Sequence, residues 1–481
     1  MRVATAFSRL LCLSGVWVRS VSFERDRVVV HVALRRKCLV CPQCSYSTRN
    51  RENLQHHDSV WRALDLGVWR IEIHARLRRL LCPEHGVLVE GVPFAREGAR
   101  FTRDFEDLVA WLVTRTDKTA TCRLVRIDWQ TVGRIIERVG DELLDGDRLN
   151  ELFEISIDEV AWRKGHRYLT LVGDHRRRCV VWGAEGKGQA AADRFFAELD
   201  PQVGDCDGSA CGNVGNPDGC PSPVDVVHGA SFPQARGVVP SAAEPAADGP
   251  TPVEEALEDA ERWVGERAAK LTAISMDMTG GYAKSARRHA PQAVICIDNF
   301  HVVQLATKAL DEVRREYWNQ LRGAGEQDAA KRFKDARWAL LKNPEDLTVR
   351  QTVTLTALHA IGGKVSRAWE LKEMVRAIFT TGLTVHVVAE LIQRLLSRLS
   401  RSRLKPFVRL GRTIRKHRQG ILAARRLKLS NARAEALNNK VKLIVRRAYG
   451  FHSARAALAL IHLACGPFAL ALPHEQKLLS A

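Results

Sequence analysis

The chain has 481 residues, of which 46% are hydrophobic, which is enough apolar material for roughly two to four folded domains and excludes a chain that is disordered throughout. It carries 74 Lys and Arg against 55 Asp and Glu, a formal net charge of +19. That excess suits a polyanionic partner, although a merely basic protein is the alternative on net charge alone. No apolar run reaches the length of a membrane span, and we expect a cytoplasmic, nucleoid-associated protein without a membrane partner.

The N-terminal segment predicts a small β-rich module that binds zinc. Two strands of a hairpin are predicted in VRSVSFERDRVVVHVAL, and a further strand in WRIEIHARLRRLLC. Cys41 and Cys44 form a C-x-x-C pair, and Cys82 and His85 form a C-x-x-H pair. Two such pairs supply the closed tetrahedral ligand set of a structural Zn²⁺ site. Cys38 precedes the first pair, and we treat it as a spare thiol that could replace one of these ligands.

Three helices are predicted next, in the order of a helix-turn-helix domain. The segments FEDLVAWLVTRT, KTATCRLVRI and WQTVGRIIERVGDELL have helical periodicity, and Asp128 is placed to cap the third helix. The start of that helix would reach a major groove of DNA through Trp129, Gln130, Thr131 and Arg134. An ordinary helical connector that packs its apolar faces is the alternative.

A mixed α/β region follows and is interrupted by a segment of different composition. Three strands are predicted in LFEISIDEVAW, RYLTLVGD and RRCVVWGAE, and then a helix in AAADRFFAEL. Residues 201–252 are rich in Pro, Gly, Ala, Ser and Asp, which predicts a disordered insertion. Its cysteines, Cys206, Cys211 and Cys220, are spaced too irregularly to predict a metal site. Strands in LTAISMD and QAVICID flank the helix YAKSARRHA, and residues 301–428 read as helical and basic.

Three apolar strands are each predicted to end in an aspartate, at Asp158, Asp277 and Asp298. Sites in open α/β sheets gather at the carboxyl ends of strands, although a strand-terminal Asp is also an ordinary turn residue or helix cap. Carboxylate oxygens are suitable ligands for Mg²⁺ or Mn²⁺. Two such ions, held ~4 Å apart, can activate a water or a 3′-hydroxyl at a phosphodiester and stabilise the leaving oxygen.

A fourth carboxylate stands alone in the most basic part of the chain. Between Leu391 and Gly450 there are eighteen Lys or Arg residues and a single acid, Glu435, on a helix predicted to begin near Ser430 or Asn431. One interpretation is a metal ligand whose basic surroundings hold the DNA backbone. The alternative is a surface charge that pairs on its own helix face, with Asn439 or with nearby arginines.

Two further basic groups are candidates for contact with DNA. They are Arg163, Lys164 and His166, which follow Asp158, and Arg446 and Arg447 with the neighbouring Tyr449. Arginine beside an aromatic side chain suits phosphate contact and base stacking. Polar turn residues in the first group, and a solvated basic face in the second, are the alternatives.

The order of elements and three sequence blocks resemble a known family. Three strands, a helix, a strand, a helix, a strand and then helices follow the order of a ribonuclease H-like fold. The blocks IDEVAWRKGHRYLTLVGD, SMDMTGGYAKSARRHAPQAVICIDNFHVVQL and SNARAEALNNKVKLIVRRAYGF resemble those of bacterial insertion-sequence transposases of the ISL-three family. The N-terminal cysteine cluster and the helix-turn-helix are similar to that family's as well. The resemblance covers nearly the whole chain apart from the insertion at 201–252.

The resemblance implies a D-D-E transposase that uses two Mg²⁺ or Mn²⁺ ions. Its three acids map onto Asp158, Asp277 and Glu435. Asp298 and His301 form a D-x-x-H pattern similar to one in related transposase groups, and they are possible accessory residues. A reading in which Asp298 replaces Asp277 as the second ligand stays open.

We therefore expect an enzyme that binds the terminal inverted repeats of its own element and cuts and joins double-stranded DNA, acting as a homo-oligomer on DNA. The rival hypothesis is a non-catalytic DNA-binding protein, either a repressor or an inactivated transposase relic. The expected parts are a zinc-binding module at 1–97, a helix-turn-helix domain at 98–148, a ribonuclease H-like α/β core at 150–300, a large α-helical insertion at 301–428, and the Glu-bearing C-terminal part of the core at 429–470.

Overall fold

A computed structural model provides the structure of the chain. It describes residues 2–44, 46–144, 146–163, 165, 167–200, 267–278, 280–379, 382–429 and 431–475, without the side chains of residues 146 and 431–435. The expected insertion at 201–252, with Cys206, Cys211 and Cys220, lies outside the described residues, as do Lys164 and His166.

The N-terminal module is a five-stranded sheet with one helix. Its elements are α1 (Val3–Leu11), β1 (Val16–Phe23), β2 (Arg27–Leu34), β3 (Leu39–Val40), β4 (Ser47–Thr48), β5 (His56–Leu66), β6 (Trp69–Cys82) and β7 (Gly86–Val89). The sheet order is β1-β2-β6-β5, with β7 paired to the end of β6, and β3 and β4 form a separate two-stranded ribbon. The predicted β1–β2 hairpin and the β6 strand are confirmed. Alternate residues of β6, such as Ile71 and Ile73, are fully buried, so this module has a core of its own.

Three helices follow, as predicted, and the predicted cap at Asp128 is confirmed. They are α2 (Arg103–Arg115), α3 (Lys118–Val125) and α4 (Trp129–Leu143). The side chains of Thr102, Asp117 and Asp128 accept hydrogen bonds from backbone N–H groups in the first turn of each helix. Arg126, with φ of 56°, closes α3 in the left-handed conformation and makes the tight turn into α4.

The central sheet mixes an antiparallel and a parallel half. Its elements are β8 (Glu154–Arg163), β9 (Arg167–Asp174), β10 (Cys179–Glu185), α5 (Gln189–Leu199), β11 (Ala273–Met276), α6 (Gly280–His289) and β12 (Val294–Ile297). The strand order is β10-β9-β8-β11-β12. The β8–β9–β10 meander is antiparallel, whereas β11 runs parallel to both β8 and β12. The carboxyl ends of three neighbouring strands therefore meet at one edge.

The rest of the described chain is helical. Its helices are α7 (Asn299–Gly323), α8 (Gln327–Asp335), α9 (Arg337–Leu341), α10 (Val349–Ile361), α11 (Gly363–Ile378), α12 (Val385–Arg401), α13 (Lys405–Arg426), α14 (Asn431–Arg447) and α15 (Ala454–Cys465). The expected helical character of residues 301–428 is thus confirmed. Within the described ranges, no helix combines the length and the apolar character needed to cross a membrane.

The two faces of the central sheet belong to two different hydrophobic cores. Along β8, Ile155 and Ile157 enter a core built with α5, α6 and the long helices α7 and α11–α13. Val160 and Trp162 enter the other core, which contains α2, α4, α14 and α15. The helix-turn-helix and the C-terminal helices therefore pack on the same face of the sheet, and they share its buried surface.

Candidate active site and metal centre

Three aspartates lie side by side at one edge of the central sheet. In the parallel ladders, Ile157 pairs with Met276, and Met276 pairs with Ile297. Asp158, Asp277 and Asp298 are the next residues of these three strands, so they occupy adjacent positions about 4.8 Å apart from strand to strand. Asp277 holds the middle position.

One prediction about these strands was wrong. Asp158 does not end its strand but lies inside β8, which continues to Arg163. The parallel pairing of β8 with β11 ends just before Asp158, whereas its antiparallel pairing with β9 continues beyond Asp158. The carboxyl group still reaches the shared edge because the shorter β11 leaves that position of β8 uncovered on its β11 side.

The aspartates line an open cavity of about 570 Å³. Its walls are formed by Asp158, Glu159, Asp277, Met278, Asp298, Phe300, His301, Gln304, Leu305, Lys308, Thr413, Asn438, Asn439 and Lys442. Four carboxylates thus face a common space, and the side chains on α7, α13 and α14 close it from the other sides. A concave site with convergent polar groups is the usual form of an active site.

The acidic cavity holds desolvated carboxylates beside two lysines, Lys308 and Lys442. Burial raises the pKa of Asp158 above its usual value, and the neighbouring Asp277 charge adds to the effect. Burial and the Asp277 charge raise the pKa of Glu159 in the same way. Desolvated carboxylates that repel one another gain most from a divalent cation, which neutralises them together. The donor set, all carboxylate oxygen, fits Mg²⁺ or Mn²⁺.

Asp298 lies at the start of α7 and contacts Phe300 and His301 of that helix. Its side chain caps that helix by accepting the backbone N–H of Phe300 at 2.8 Å. The Nε2 atom of His301 lies 3.7 Å from its Oδ2 atom. One carboxylate oxygen of Asp298 therefore caps the helix, and the other faces His301. Both residues of the D-x-x-H pattern line the acidic cavity.

Helix α14 forms the opposite wall. Asn438 donates a hydrogen bond from its amide to the Oδ2 atom of Asp158, and Lys442 lies one turn further along. The helix begins at Asn431, in agreement with the prediction, but the side chain of Glu435 lies outside what the structure describes. Position 435 precedes 438 and 439 by three and four residues, and such positions share one helix face.

Sequence reasoning missed Asn438, Asn439, Lys442 and Glu159 as residues of this site. A signal for three of them was present, because positions 435, 438, 439 and 442 repeat at helical spacing and are all polar. Glu159, the next residue after Asp158 in a predicted strand, was not singled out by the sequence analysis.

The four predicted zinc ligands come together at the base of the N-terminal module. Their ligand atoms all lie within 4.8 Å of one another. The Sγ atom of Cys44 is 3.7 Å from that of Cys82, and the Nδ1 atom of His85 is 3.5 Å from Cys82 Sγ and 3.8 Å from Cys41 Sγ. Ligands at Zn–S of about 2.3 Å and Zn–N of about 2.0 Å in a tetrahedron are separated by roughly 3.5–3.8 Å, so the residues fit the ion.

Local structure explains why these thiols converge. Cys41 and Cys44 belong to the turn between β3 and β4, and Cys82 and His85 to the β6–β7 hairpin, which turns back at Gly86 with φ of 70°. Leu39 and Leu80 pack between the two turns and are fully buried. Cys38 is not a member of this four-residue group.

The predicted DNA-reading positions of the helix-turn-helix separate into two kinds. Gln130 and Arg134 are exposed and lie one turn apart at the start of α4. Thr131 is half-buried, and its hydroxyl donates to the capping Asp128. Trp129 is half-buried beneath the Nζ atom of Lys118, which lies 3.4 Å from its ring centroid. Burial lowers the pKa of Lys118 to about 8.

The other predicted DNA contacts lie outside the acidic cavity. Arg163 is exposed at the far end of β8, five residues from Asp158, which is about 17 Å along a strand. Arg446 is exposed on α14, and Tyr449 is 80% exposed just after it. Arg447 is half-buried and donates to the backbone oxygen of Arg115, so it ties α14 to the end of α2.

Comparison with known proteins agrees with both parts of this architecture. Residues 155–207 and 253–461 match a family model described as "Transposase", specifically that of the ISL3 family. Residues 90–140 match the "Helix-turn-helix domain of transposase family ISL3", which contains α2, α3 and most of α4.

Two relatives match over almost their full length. The "Transposase for insertion sequence element IS1557" of Mycobacterium tuberculosis is 33% identical over 477 residues, covering 93% of this chain and 91% of the relative. The "Transposase for insertion sequence element IS1001" of Bordetella parapertussis is 24% identical over 445 residues, covering 91% of this chain and 92% of the relative. The resemblance seen in the sequence blocks is confirmed, and the chain belongs to the ISL3 family of insertion-sequence transposases.

Proposed function

We propose that this protein is a D-D-E transposase that cuts and joins DNA at the ends of its own insertion sequence. The observation that carries the proposal is the convergence of Asp158 and Asp277 at one sheet edge, with α14 and its Asn438 lying across them. Glu435 would complete the set from the same helix. The strand order β10-β9-β8-β11-β12, with an antiparallel meander beside two parallel strands, supports a ribonuclease H-like core.

In this proposal Asp158, Asp277 and Glu435 hold Mg²⁺ or Mn²⁺. The ions would activate a water, and later a 3′-hydroxyl, and would stabilise the leaving oxygen of the phosphodiester. Asn438 would fix the orientation of the Asp158 carboxylate by its hydrogen bond. Asp298 and His301 line the same cavity from the α7 side and are proposed as accessory residues that face the DNA.

The N-terminal half would supply recognition. Zinc held by Cys41, Cys44, Cys82 and His85 would stabilise the first module, and α4 would read the terminal inverted repeat through Gln130 and Arg134. Two element ends must be joined in one complex, so we propose that the protein acts as a homo-oligomer on DNA. We propose the same domain boundaries for the protein as those expected from the sequence.

Mn²⁺-dependent cleavage of a labelled terminal repeat tests the proposal. The intact protein is expected to cut, while Asp277→Asn and Glu435→Gln bind the same DNA at one fixed salt concentration without cutting, because each removes a metal ligand. If Glu435→Gln cuts as well as the intact protein, Glu435 is only a charge on its helix. If every protein binds and none cuts, a repressor or an inactivated relic is the better description.

Asp298→Asn separates the two candidates for the second ligand. If Asp277 is the ligand, Asp277→Asn abolishes cleavage, and Asp298→Asn leaves a measurable rate. The reverse result would assign Asp298 to the metal and Asp277 to a supporting position.

A further inference from the structure

A second groove runs along β12, the outer strand of the central sheet, between α6 and α13. Its volume is about 730 Å³. Charged or protonatable side chains in its lining are Arg287 on α6 and Lys416, His417 and Arg426 on α13. Gly420 of α13 lets the helix approach the strand, because a Cβ atom there would lie 2.7 Å from Ile297 Cγ1 and 3.1 Å from the backbone oxygen of Ile295. We call this concavity the edge groove.

The edge groove is positive and open to solvent. Among the residues that the structure describes, its lining includes no Asp or Glu. Arg287, Lys416 and Arg426 are exposed, and none of the ion pairs within the described ranges involves any of the three. Burial, together with the charges of Lys416 and Arg287, lowers the pKa of His417, so its ring is neutral near pH 7 and still able to donate a hydrogen bond. Three uncompensated cations around one concavity create a strong local attraction for anions.

The edge groove adjoins the acidic cavity. Thr413 of α13 lines the acidic cavity, and Lys416 and His417 follow it by three and four residues on the same helix. His417 is also close enough to Asp277 to feel its charge. Ile297 lines the groove, and the next residue, Asp298, lines the acidic cavity. A nucleic-acid strand that leaves the acidic cavity on this side would therefore pass directly into the edge groove.

The length of the edge groove suits a polymer rather than a single anion. Lys416 and Arg426 are ten residues apart on α13, which corresponds to about 15 Å along the helix axis. Successive phosphates of one B-form strand advance by about 3.4 Å, so roughly four nucleotides fit alongside. Arginine and lysine on opposite walls can contact phosphate oxygens without reading bases.

We propose that the edge groove binds the phosphodiester backbone of one DNA strand next to the site of cutting. This inference rests on the proposed function, because it takes DNA in the acidic cavity as its starting point. The groove sets where the strand runs relative to the metal site and contributes affinity that does not depend on base sequence. A single free phosphate would be bound by the same cations, and the test below separates it from DNA.

The salt dependence of DNA binding tests the inference. The triple variant R287Q/K416Q/R426Q is compared with the intact protein on a fluorescent duplex that carries the terminal repeat and its flank, without divalent metal. Loss of three phosphate contacts lowers the slope of log affinity against log salt by up to about 2.7. Between 50 and 200 mM salt, the intact protein then loses roughly 40-fold more affinity than the variant. The charge-conserving variant R287K/K416R/R426K is expected to keep most of the slope.

A matched control separates a local contact from net charge. Arg350, Lys364 and Arg367 are exposed on α10 and α11 and do not line the edge groove, so R350Q/K364Q/R367Q removes the same charge elsewhere. An equal change of slope in both triple variants, or no change in either, would overturn the inference. A slope change on the duplex that excess inorganic phosphate abolishes at constant ionic strength would instead indicate a site for a single anion.

The same measurements distinguish failure of the groove inference from failure of the proposed function. Asp277→Asn is expected to lose cleavage and to keep the full salt slope. If the intact protein never cuts but the groove triple variant alone changes the slope, the groove binds DNA and the proposed catalysis is wrong. If the intact protein cuts and the slope stays the same in the triple variant, only the groove inference fails.

Discussion

At the scale of single residues, the contact between Asn438 and Asp158 decides how the acidic cavity is arranged. These residues are 280 positions apart in the chain, and the amide of one donates to the carboxylate of the other. The other oxygen of this desolvated carboxylate, Oδ1, accepts the backbone N–H of Glu159 at 2.7 Å, so two hydrogen bonds fix its orientation. Mutation of a residue that orients a metal ligand commonly lowers metal affinity or activity by about 10- to 100-fold.

We therefore expect Asn438→Ala to reduce Mn²⁺-dependent cleavage by roughly 10- to 100-fold and to raise the Mn²⁺ concentration needed for half-maximal rate. DNA affinity at fixed salt should stay the same. Asn439→Ala is the matched control, since Asn439 lines the same wall. Equal losses in the two variants would show that the Asp158 bond has no special role, whereas partial rescue by Asn438→Gln would support it.

The residue scale also shows what the sequence could predict. Asp277 and Asp298 were predicted to lie at strand ends because each follows a short apolar run, and this is confirmed. Asp158 looked the same locally, yet its strand continues because β9 pairs with it as far as Arg163. Asn438 was missed because its partner lies on a remote strand, and no local pattern reports such a contact.

At the scale of elements, the packing of α4 against α15 holds the helix-turn-helix to the sheet. Gly140 of α4 lies so close to α15 that a Cβ atom there would be 3.1 Å from the Cβ atom of Ala459. Val132, Ile135 and Val139 on the same helix are fully buried in the shared core. The amphipathic period of α4 was readable from the sequence, but its partner was not, because α15 is an apolar helix without distinctive spacing.

Gly140→Leu should destabilise the protein by about 1–3 kcal/mol, since the added side chain overpacks the contact between α4 and α15. Thermal or denaturant unfolding measures the loss. Gly323→Leu is the control, because a Cβ atom at Gly323 meets nothing within 4 Å, and a change within about 0.5 kcal/mol is expected there. Similar effects at both glycines would mean that close helix approach is not what Gly140 provides.

At the scale of the whole molecule, one part of the described chain has a hydrophobic core of its own, and another part shares its core with the central sheet. The N-terminal module has its own core and the four converging Cys and His residues proposed to hold zinc. The helix-turn-helix, in contrast, shares a core with the sheet and with α14 and α15. Arg96, which follows the N-terminal module, forms ion pairs with Glu106 and Asp107 of α2 and with Glu142 of α4. Both Arg96 and Glu106 are largely buried.

Removal of zinc should therefore unfold part of the molecule only. A strong chelator, or Cys44→Ser, is expected to expose the amides of β3–β7 to hydrogen exchange while those of α2, α4 and β8 stay protected, because structural zinc supplies the folding energy of a small module. Cys122→Ser serves as the control, since Cys122 lies outside the ligand group. Loss of protection throughout the chain would show that the two cores depend on each other.

The shared core has a consequence for how the protein is made on the ribosome. Gly140 and Ala459 are in contact in the folded protein but are 319 residues apart in the order of synthesis. At about 5–20 residues per second, the second partner is added roughly 16–64 s after the first. During that interval the newly made helix-turn-helix lacks α15 and the buried surface it supplies. A chain that terminates before α15 is therefore expected to leave the face of α4 that carries Gly140 without this packing partner.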